Sequence, residues 1–320
     1  MARTGRKPKA AKPPDTALGE MLEEYLKSLQ VRNYSEMTVK TRRVYIGYFI
    51  RWCKERGVTE PVEVTRPIIE SYQRYLFYHR RKDGKPLTFA SQITRLTPLR
   101  VWFKWLARQR HILNNPASEM ELPRMEHRLP KTILTKSEIE QVLSQPDIND
   151  LLGLRDRAML ETLYSTGIRR SELVNLKVYD LNMERGIVTI RQGKGKKDRI
   201  IPIGERAARW VEKYLREARP RMVTEPDDYV MFLSNSGEGL GIHYMSDLVK
   251  NYVDAAKIGK SGSCHMFRHT MATLMLENGA DIRYIQQMLG HADLRTTQVY
   301  THVSIRQLKQ IHTATHPAHL

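Results

Sequence analysis

Arg169 stands where two helices meet in the middle of the chain. It belongs to the run Thr-Gly-Ile-Arg-Arg-Ser-Glu-Leu of residues 166–173, in which Gly167 ends one helix and Ser171 lies near the start of the next. An arginine at such a junction can present its planar guanidinium to two oxygens of one phosphate. Glu172 either orients a neighbouring basic side chain or is a first-turn glutamate favoured by the helix dipole. Alone, the run does not separate a phosphate ligand from a solvated arginine.

Lys194 lies between Gly193 and Gly195, in a turn that joins two short apolar segments. Small flanking residues allow such a turn to approach another backbone closely, and its lysine can reach a phosphate or donate a proton. The nucleotide-binding pattern Gly-x-x-x-x-Gly-Lys-Ser/Thr is absent, because Lys196 and Lys197 follow the second glycine. The turn therefore does not indicate ATP.

His265 and Arg268 are three residues apart in the run Cys-His-Met-Phe-Arg-His-Thr of residues 264–270. That spacing predicts that both side chains lie on one face of a helix, where an imidazole beside a guanidinium suits an anionic oxygen. His265 and His269 have the spacing of a metal-binding pair, but the glutamate of His-Glu-x-x-His is missing. We therefore expect neither a metal nor another cofactor.

Tyr300 lies in the run of residues 285–302, after a glycine and a histidine that end a helix. Gly290 is a natural helix stop, His291 begins a turn, and residues 293–296 can start a new helix that carries the tyrosine. The chain has 15 tyrosines, so this one alone is as well explained as an aromatic core residue with a polar tip. Whether Tyr300 is a nucleophile or a core residue depends on the residues that surround it.

The charge of the chain favours a polyanionic partner. Lys and Arg number 53 against 35 Asp and Glu, for a formal net charge of +18. No apolar stretch is long enough to span a membrane and no secretory signal opens the sequence. Cys53 and Cys264 are too few for a disulfide framework or a zinc site. These features predict a nucleic-acid-binding protein of the cytoplasm that makes no membrane contact.

The first part of the chain is a basic arm followed by a helical domain. Residues 1–15 are basic, contain prolines and have no apolar period, so we expect a flexible arm that either contacts DNA or only adds charge. Residues 16–113 carry four amphipathic patterns. The second is capped by Ser35, the third opens at Pro67 and the fourth covers residues 91–108. Four helices with short connections predict a compact helical domain.

The second part of the chain is a larger domain of helices with one β-hairpin. Periodicity fails across residues 114–130, which we interpret as a linker, and residues 131–320 form the second domain. Thr135 opens its first helix with a capping box. Residues 186–191 and 198–203 alternate as two strands around the Lys194 turn. Everything after Gly204 is predicted to be helical, which makes the chain mainly α with a small β-hairpin.

Four motifs occur in an order and spacing that resembles the tyrosine recombinases, also called the lambda-integrase family. They are Thr-Gly-Ile-Arg-Arg-Ser-Glu-Leu, Gly-Lys-Gly-Lys-Lys-Asp-Arg, His-Met-Phe-Arg-His and Leu-Gly-His-Ala-Asp-Leu-Arg-Thr-Thr-Gln-Val-Tyr-Thr-His. Within that family the chain is most similar to the Xer-type enzymes, and its helical first domain resembles their SAM-like core-binding domain. The likeness covers nearly the whole chain beyond the arm.

The resemblance implies a catalytic set for breaking and rejoining DNA. Its members would be Arg169, Lys194, His265, Arg268, His291 and Tyr300. Two fixed arginines suit the charge that gathers on the phosphate oxygens, a single such donor contributing ~3 to 4 kcal/mol. A phenol with a pKa of about 10 needs a proton acceptor such as His265. The resemblance assigns Tyr300 as the nucleophile, Lys194 as the acid for the leaving sugar oxygen and His291 as a phosphate ligand.

The resemblance also implies the pathway and the assembly. A 3′-phosphotyrosyl intermediate with a free 5′-hydroxyl would lead to a Holliday junction, with neither ATP nor metal. The partner would be a double-stranded DNA recombination site held in a two-domain, C-shaped clamp. The enzyme would act as a homotetramer on synapsed DNA or with a paired second recombinase.

Several biological roles share this chemistry. The long basic arm and the C-terminal tail favour an integrase or recombinase of a mobile element. The alternatives are a housekeeping Xer-type enzyme that resolves chromosome dimers, a tyrosine topoisomerase, and a catalytically silent DNA-binding protein. The presence of all the matched residues argues against the silent protein.

Overall fold

The computed structural model describes residues 15–125, 133–191 and 198–290. Contacts divide the chain into two compact units, Met1–His127 and Arg128–Leu320. Both are built mainly from helices, and the one sheet of the described residues is small and antiparallel. The expectation of a mainly helical chain with a small β element is thus confirmed.

The first unit consists of four helices. They are α1 (Ala17–Val31), α2 (Glu36–Lys54), α3 (Arg66–Tyr78) and α4 (Phe89–Arg108). The hydroxyls of Thr16, Ser35 and Thr88 accept backbone N–H groups at the starts of α1, α2 and α4, which lack intrahelical acceptors. Pro67 lies in the first turn of α3, where its missing N–H costs no hydrogen bond.

Aromatic side chains fill the core of the first unit. Phe49 of α2 packs edge-on against Tyr72 of α3 and Phe103 of α4, with ring centroids 5.0 and 5.8 Å apart. The segment after α4 also contributes, because Ala117 and Met120 are buried in the same core. Residues that the sequence assigns to the start of the linker therefore pack on the first unit.

The second unit surrounds helix α6, whose side chains are buried on nearly every side. Its elements are α5 (Lys136–Leu143), α6 (Leu151–Thr166), α7 (Arg170–Val174), β1 (Leu181–Asn182), β2 (Ile187–Ile190), β3 (Arg199–Pro202), α8 (Glu205–Glu217), α9 (Arg219–Met222), α10 (Ile242–Ala255), α11 (Cys264–Glu277) and α12 (Ile282–Leu289). A helix that is buried all round has no solvent face. Its ends are therefore suitable places for rigid site residues.

The sheet contains the predicted hairpin and one further strand. Strands β2 and β3 pair antiparallel with Val188 opposite Ile201, and both of these side chains face the core. The pairing confirms the predicted strand positions. The two-residue strand β1 pairs with β2 on the other side. The turn that carries Lys194 lies outside the described residues.

The expectation that all residues after Gly204 are helical is wrong for residues 223–241. This segment is irregular, with bends and a turn, and forms isolated bridges between Lys177 and Val230 and between Leu233 and Gly239. Arg219 holds it by donating to the carboxylate of Asp227 and to the carbonyl of Val230. The contacts that shape this segment join residues well apart in the sequence, so the local periodicity does not predict them.

Among residues 15–125, 133–191 and 198–290, no helix is both long enough and apolar enough to cross a membrane.

Candidate active site

Arg169 is the residue that precedes helix α7, as the sequence predicts. Its guanidinium donates through Nη1 to Glu172 Oε1 at 2.8 Å and through Nη2 to the carbonyl of Gly290 at 3.2 Å. Its side chain is 19% exposed, so part of it faces solvent. Gly167, which ends α6 in the left-handed conformation, turns the chain so that Arg169 leaves the buried helix. The arginine is therefore fixed on two sides and accessible on a third.

The Glu172 carboxylate accepts hydrogen bonds from two arginines. Oε1 receives Nη1 of Arg169 and of Arg199, at 2.8 and 2.9 Å. Oε2 receives the backbone N–H of Arg169 and Nη2 of Arg199, at 2.8 and 2.7 Å. Burial alone would raise the pKa of this carboxyl, but the bonds from Arg199 and Arg169 lower it to about 2. Glu172 is thus an anion that orients Arg169, in addition to being a first-turn glutamate.

His265 and Arg268 both lie in the first half of helix α11. Arg268 is buried and donates through Nη1 to the carbonyl of Gly167 at 2.6 Å and through Nη2 to the carbonyl of Leu289 at 2.7 Å. His265 is exposed on the same helix. The buried arginine is held rigidly, whereas the imidazole can meet a partner from solvent.

Three arginines converge on the C-terminal end of helix α12. Arg199 Nε donates to the carbonyl of Met288 at 3.0 Å, and Arg268 and Arg169 donate to the next two carbonyls, those of Leu289 and Gly290. The last carbonyls of a helix lack intrahelical partners and carry partial negative charge, so guanidinium groups stabilise them. A guanidinium has five N–H groups, so an arginine that binds a carbonyl can also bind a phosphate oxygen.

The positive charge of the cluster changes the pKa of His265. Partial burial lowers this pKa, and the charges of Arg170, Arg268 and Arg169 lower it further. Arg170 is held nearby by donating to Ser246 Oγ of α10 at 2.9 Å. A histidine with a lowered pKa is neutral at physiological pH, which is the form that accepts a proton.

Three of the six predicted site residues lie outside the described part of the chain. They are Lys194, His291 and Tyr300. The structure brings together the other three, because Arg169 and Arg268 bind adjacent carbonyls and their charges act on His265. That these three residues lie close to Lys194, His291 and Tyr300 stays a prediction.

Sequence reasoning missed Arg199. It follows the Lys194 turn in a run of basic residues, and nothing local distinguishes it from its neighbours. Its partners are Glu172 and Met288, both remote in sequence, and only the fold brings them together.

A second basic feature lies on the first unit, on helices α2 and α4. The guanidinium carbons of Arg51 and Arg95 lie 5.1 and 5.3 Å from the ring centre of Tyr48. We call these three residues the Tyr48 surface. Stacking on the ring holds both cations in place without neutralising them.

Metal chemistry has no visible basis in the described residues. Over residues 15–125, 133–191 and 198–290, no group of three or more histidine, cysteine, aspartate or glutamate side chains is arranged to hold a metal ion. The described site is instead an arrangement of guanidinium groups, one carboxylate and one imidazole. Such a set is suited to bind and polarise an anion.

Comparison with protein families gives two matches, which together cover most of the chain. Residues 132–306 match the phage integrase family, and residues 21–112 match the N-terminal SAM-like domain of phage integrases.

Individual relatives are similar over nearly the full length. The tyrosine recombinase XerC 2 of Ralstonia nicotianae is 50% identical over 303 residues, which cover 95% of this chain and 87% of that protein. The tyrosine recombinase XerD of Listeria monocytogenes is 38% identical over 305 residues, covering 94% and 99%. Among solved structures, the XerH site-specific recombinase bound to a palindromic difH substrate shares the fold. It has a TM-score of 0.69 and 21% identity, and it covers 95% of this chain and 90% of that one.

Proposed function

This chain belongs to the phage integrase family and is a tyrosine recombinase of the Xer-like kind, and we propose that it breaks and rejoins a specific DNA site through Tyr300. One observation carries the proposal. Arg169 and Arg268, predicted to bind one phosphate, hold adjacent carbonyls at the end of α12, and the chain continues from there to His291 and Tyr300.

The two arginines bind the scissile phosphate in this proposal. A phosphodiester is already anionic, and its transition state gathers more charge on the non-bridging oxygens. Donors that are fixed before the reaction stabilise that charge without reorganising. The bonds of Arg268 to Gly167 and Leu289 and of Arg169 to Glu172 supply such fixation.

Proton transfers accompany each covalent step. The Tyr300 oxygen attacks phosphorus as its proton passes to His265, directly or through water. The sugar 5′-oxygen leaves as the P–O bond breaks, and Lys194 supplies its proton. His291 donates a hydrogen bond to the phosphate beside the arginines. The lowered pKa of His265 supports its role as the proton acceptor.

The products of the first step determine what the reaction needs. It gives a 3′-phosphotyrosine and a free 5′-hydroxyl, and the 5′-hydroxyl of a partner strand then attacks the phosphotyrosine and releases Tyr300. One phosphoester bond forms for each that breaks, so the exchange needs no ATP. Exchange of the first pair of strands gives a Holliday junction.

The partner in this proposal is a double-stranded recombination site. The solved relative XerH, a site-specific recombinase, is bound to a palindromic difH substrate, which supports a recombination site as the ligand here. We extend the proposal to four protomers on two synapsed sites, either identical or paired with a second recombinase. The Tyr48 surface offers two fixed cations for the backbone of that DNA.

Two biological roles use this reaction. The basic arm and the C-terminal tail support a recombinase carried by a mobile element. The names of the relatives, XerC 2 and XerD, support the second role, the resolution of chromosome dimers. Two recombination assays separate these roles. One uses a pair of chromosomal sites as the substrate and the other uses the ends of any element around the gene, and only one of the two substrates should be exchanged.

A suicide substrate tests the proposed reaction. A nick next to the cleavage position lets the short leaving strand diffuse away, so the covalent protein–DNA adduct accumulates. We expect an adduct with the wild-type chain and none with Tyr300→Phe, which keeps the ring and removes the nucleophilic oxygen. Tyr284→Phe, a change at an exposed tyrosine of α12, is the matched control and should form the adduct normally. An adduct with Tyr300→Phe would overturn the proposal.

A further inference from the structure

Arg199 connects three elements of the site through one guanidinium. It lies at the start of β3, the strand that follows the Lys194 turn. Nη1 and Nη2 donate to the two oxygens of Glu172 on α7, and Nε donates to the carbonyl of Met288 on α12. Its side chain is only 13% exposed. Arg199 is therefore an internal contact of the site and not a solvated surface charge.

The first consequence of these bonds concerns Arg169. Without Arg199, the buried carboxylate of Glu172 would have Arg169 as its one remaining guanidinium partner among those described here. Attraction inside a protein is stronger than in water, so the carboxylate would hold Arg169 more tightly and neutralise more of its charge. With Arg199 present, two cations share one anion, and Arg169 retains charge for a phosphate.

The second consequence concerns the end of α12. Arg199, Arg268 and Arg169 hold the consecutive carbonyls of Met288, Leu289 and Gly290. The backbone of Gly290 lies directly against Arg199, because a Cβ atom at Gly290 would be 3.1 Å from Arg199 Nε. Arg199 thus determines where the chain leaves α12 on its way to Tyr300.

We infer that Arg199 is a positioning residue for DNA cleavage, which orients Arg169 through Glu172 and fixes the end of α12 without touching the substrate. The inference rests on the proposed function, because that function is what assigns Arg169 to the phosphate. It predicts that Arg199 affects the rate of cleavage more than it affects the affinity for DNA.

A matched control exists elsewhere in the same unit. Glu161 is 1% exposed and, like Glu172, accepts hydrogen bonds from two arginines, Arg157 and Arg206, at 2.8 and 2.9 Å. Arg206→Gln therefore removes one of two arginines from a buried glutamate, as Arg199→Gln does. Both variants lose one unit of charge. They differ in whether the glutamate also holds Arg169. Arg206 is also more exposed than Arg199, and it pairs with Glu140 as well.

The test is a double-mutant cycle of Arg199→Gln with Arg169→Ala. The rate of adduct formation on the suicide substrate is measured in a single turnover at saturating protein, and the Kd for the same DNA is measured separately. We expect Arg169→Ala to lower the rate about 100- to 1000-fold, as the loss of a phosphate donor does. Arg199→Gln should lower it about 10- to 100-fold, as a misplaced reacting group does.

The decisive result is the double variant. If Arg199 acts in part through Arg169, the two effects do not multiply, and the double variant cleaves faster than the product of the two single effects predicts, because coupled residues are not additive. Arg206→Gln should leave the wild-type rate nearly unchanged and should combine with Arg169→Ala additively. Arg199→Gln should bind the DNA with a Kd within about threefold of wild type, since the contacts that it loses lie inside the protein.

The possible failures are distinguishable. Wild-type cleavage by Arg169→Ala would overturn the proposed function. Slow cleavage by Arg169→Ala together with normal cleavage by Arg199→Gln, or with effects that multiply in the double variant, would overturn only the role of Arg199. If Arg199→Gln does not fold, Arg199→Lys replaces it in the cycle. Lysine keeps the charge but cannot bond both oxygens of Glu172 and the Met288 carbonyl together, so a smaller loss of rate is expected, which again does not multiply with that of Arg169→Ala.

Discussion

At the residue scale, Glu172 has the most strongly altered chemistry of the described site. Its carboxylate is buried and receives bonds from Arg199 and from both the side chain and the backbone of Arg169. Those bonds overcome the effect of burial and lower its pKa to about 2. The ion therefore stays charged over the whole physiological range. It links Arg169, the arginine that we propose binds the phosphate, to Arg199 of β3.

This pKa shift predicts a pH-dependent contribution to stability. A carboxyl whose pKa is 4.5 when unfolded and about 2 when folded stabilises the protein above pH 4.5 and loses that contribution as the pH falls towards 2. Glu172→Gln removes the titration. The difference in free energy of unfolding between wild type and variant should shrink as the pH falls through this window, by up to about 3 kcal/mol. Urea denaturation at a series of pH values measures it, and a constant difference would contradict the assigned contacts.

His265 gives a prediction for the pH dependence of cleavage. Burial and the charges of Arg170, Arg268 and Arg169 lower its pKa from 6.5, so the neutral form persists to lower pH. If His265 accepts the tyrosine proton, the single-turnover rate falls on acidification with a midpoint below 6.5. Arg170→Gln removes one of the charges and should move the midpoint upward. A midpoint above 6.5, or a midpoint that Arg170→Gln leaves unchanged, would contradict this role of His265.

The sequence predicts some residues of the site and misses others for a physical reason. Arg169, His265 and Arg268 are identifiable because each lies in one of the motifs whose order and spacing resemble the tyrosine recombinases. The local context of each residue alone does not distinguish it from a solvated side chain. The choice between two roles for Glu172 stays open in the sequence. Arg199 gives no signal at all. The contacts that decide both cases run from β3 to α7 and α12, and a single sequence does not encode such pairs locally.

At the scale of elements, the end of α12 is the point where the site is assembled. Helix α6 ends at Gly167 and helix α12 ends at Gly290, both in the left-handed conformation. Arg268 of α11 joins the two helix ends by donating to the carbonyls of Gly167 and Leu289. Two helix ends and one buried arginine thus form a rigid frame for the anion-binding groups.

Gly290 gives a prediction at this scale. A side chain at Gly290 would be strained by the positive φ of 61°, and its Cβ would lie 3.1 Å from Arg199 Nε. Gly279, between α11 and α12, also has a positive φ, of 91°, but has open space around it. Both Gly→Ala changes should cost about 1 kcal/mol of stability for the backbone strain. Only Gly290→Ala should also slow cleavage, because it displaces Arg199.

Thermal unfolding and single-turnover cleavage separate the two glycine variants. Equal loss of stability with unequal loss of rate is the expected pattern. If Gly279→Ala slowed cleavage as much as Gly290→Ala, general destabilisation would explain both, and the close approach of Arg199 would be unimportant.

Helix starts are the part of the fold that the sequence predicts best. Ser35 and Thr135 cap α2 and α5 as expected, because a cap is a contact within four residues. The hairpin is also confirmed, since its alternation is local. Strand β1 is two residues long and depends on β2, so no local pattern predicts it. The irregular segment 223–241 depends on Arg219 in the same way.

At the scale of the whole molecule, some of the excess cations are expected to contact DNA and others to be solvated at the surface. The formal charge of +18 does not show which cations touch the ligand. Arg51 and Arg95 stack on Tyr48 without neutralisation, whereas Arg66 and Arg81 of the same unit pair with carboxylates. The first pair therefore suits phosphate contact better.

The salt dependence of DNA binding tests this division. The double variant Arg51→Gln/Arg95→Gln should weaken binding and reduce the slope of log Kd against log salt by about one per lost phosphate contact, so by about two. The double variant Arg66→Gln/Arg81→Gln loses the same charge and should leave the slope close to wild type. Equal slopes for the two variants would mean that the Tyr48 surface does not contact the DNA backbone.

The central claim is that Tyr300, one of 15 tyrosines, forms a covalent bond to DNA. Mass spectrometry of the protease- and nuclease-treated adduct from a suicide substrate tests it most directly. The account predicts a single modified peptide that contains Tyr300, joined to a 3′-phosphate, with a free 5′-hydroxyl on the released strand. Modification of any other residue, or attachment to a 5′-phosphate, would contradict it.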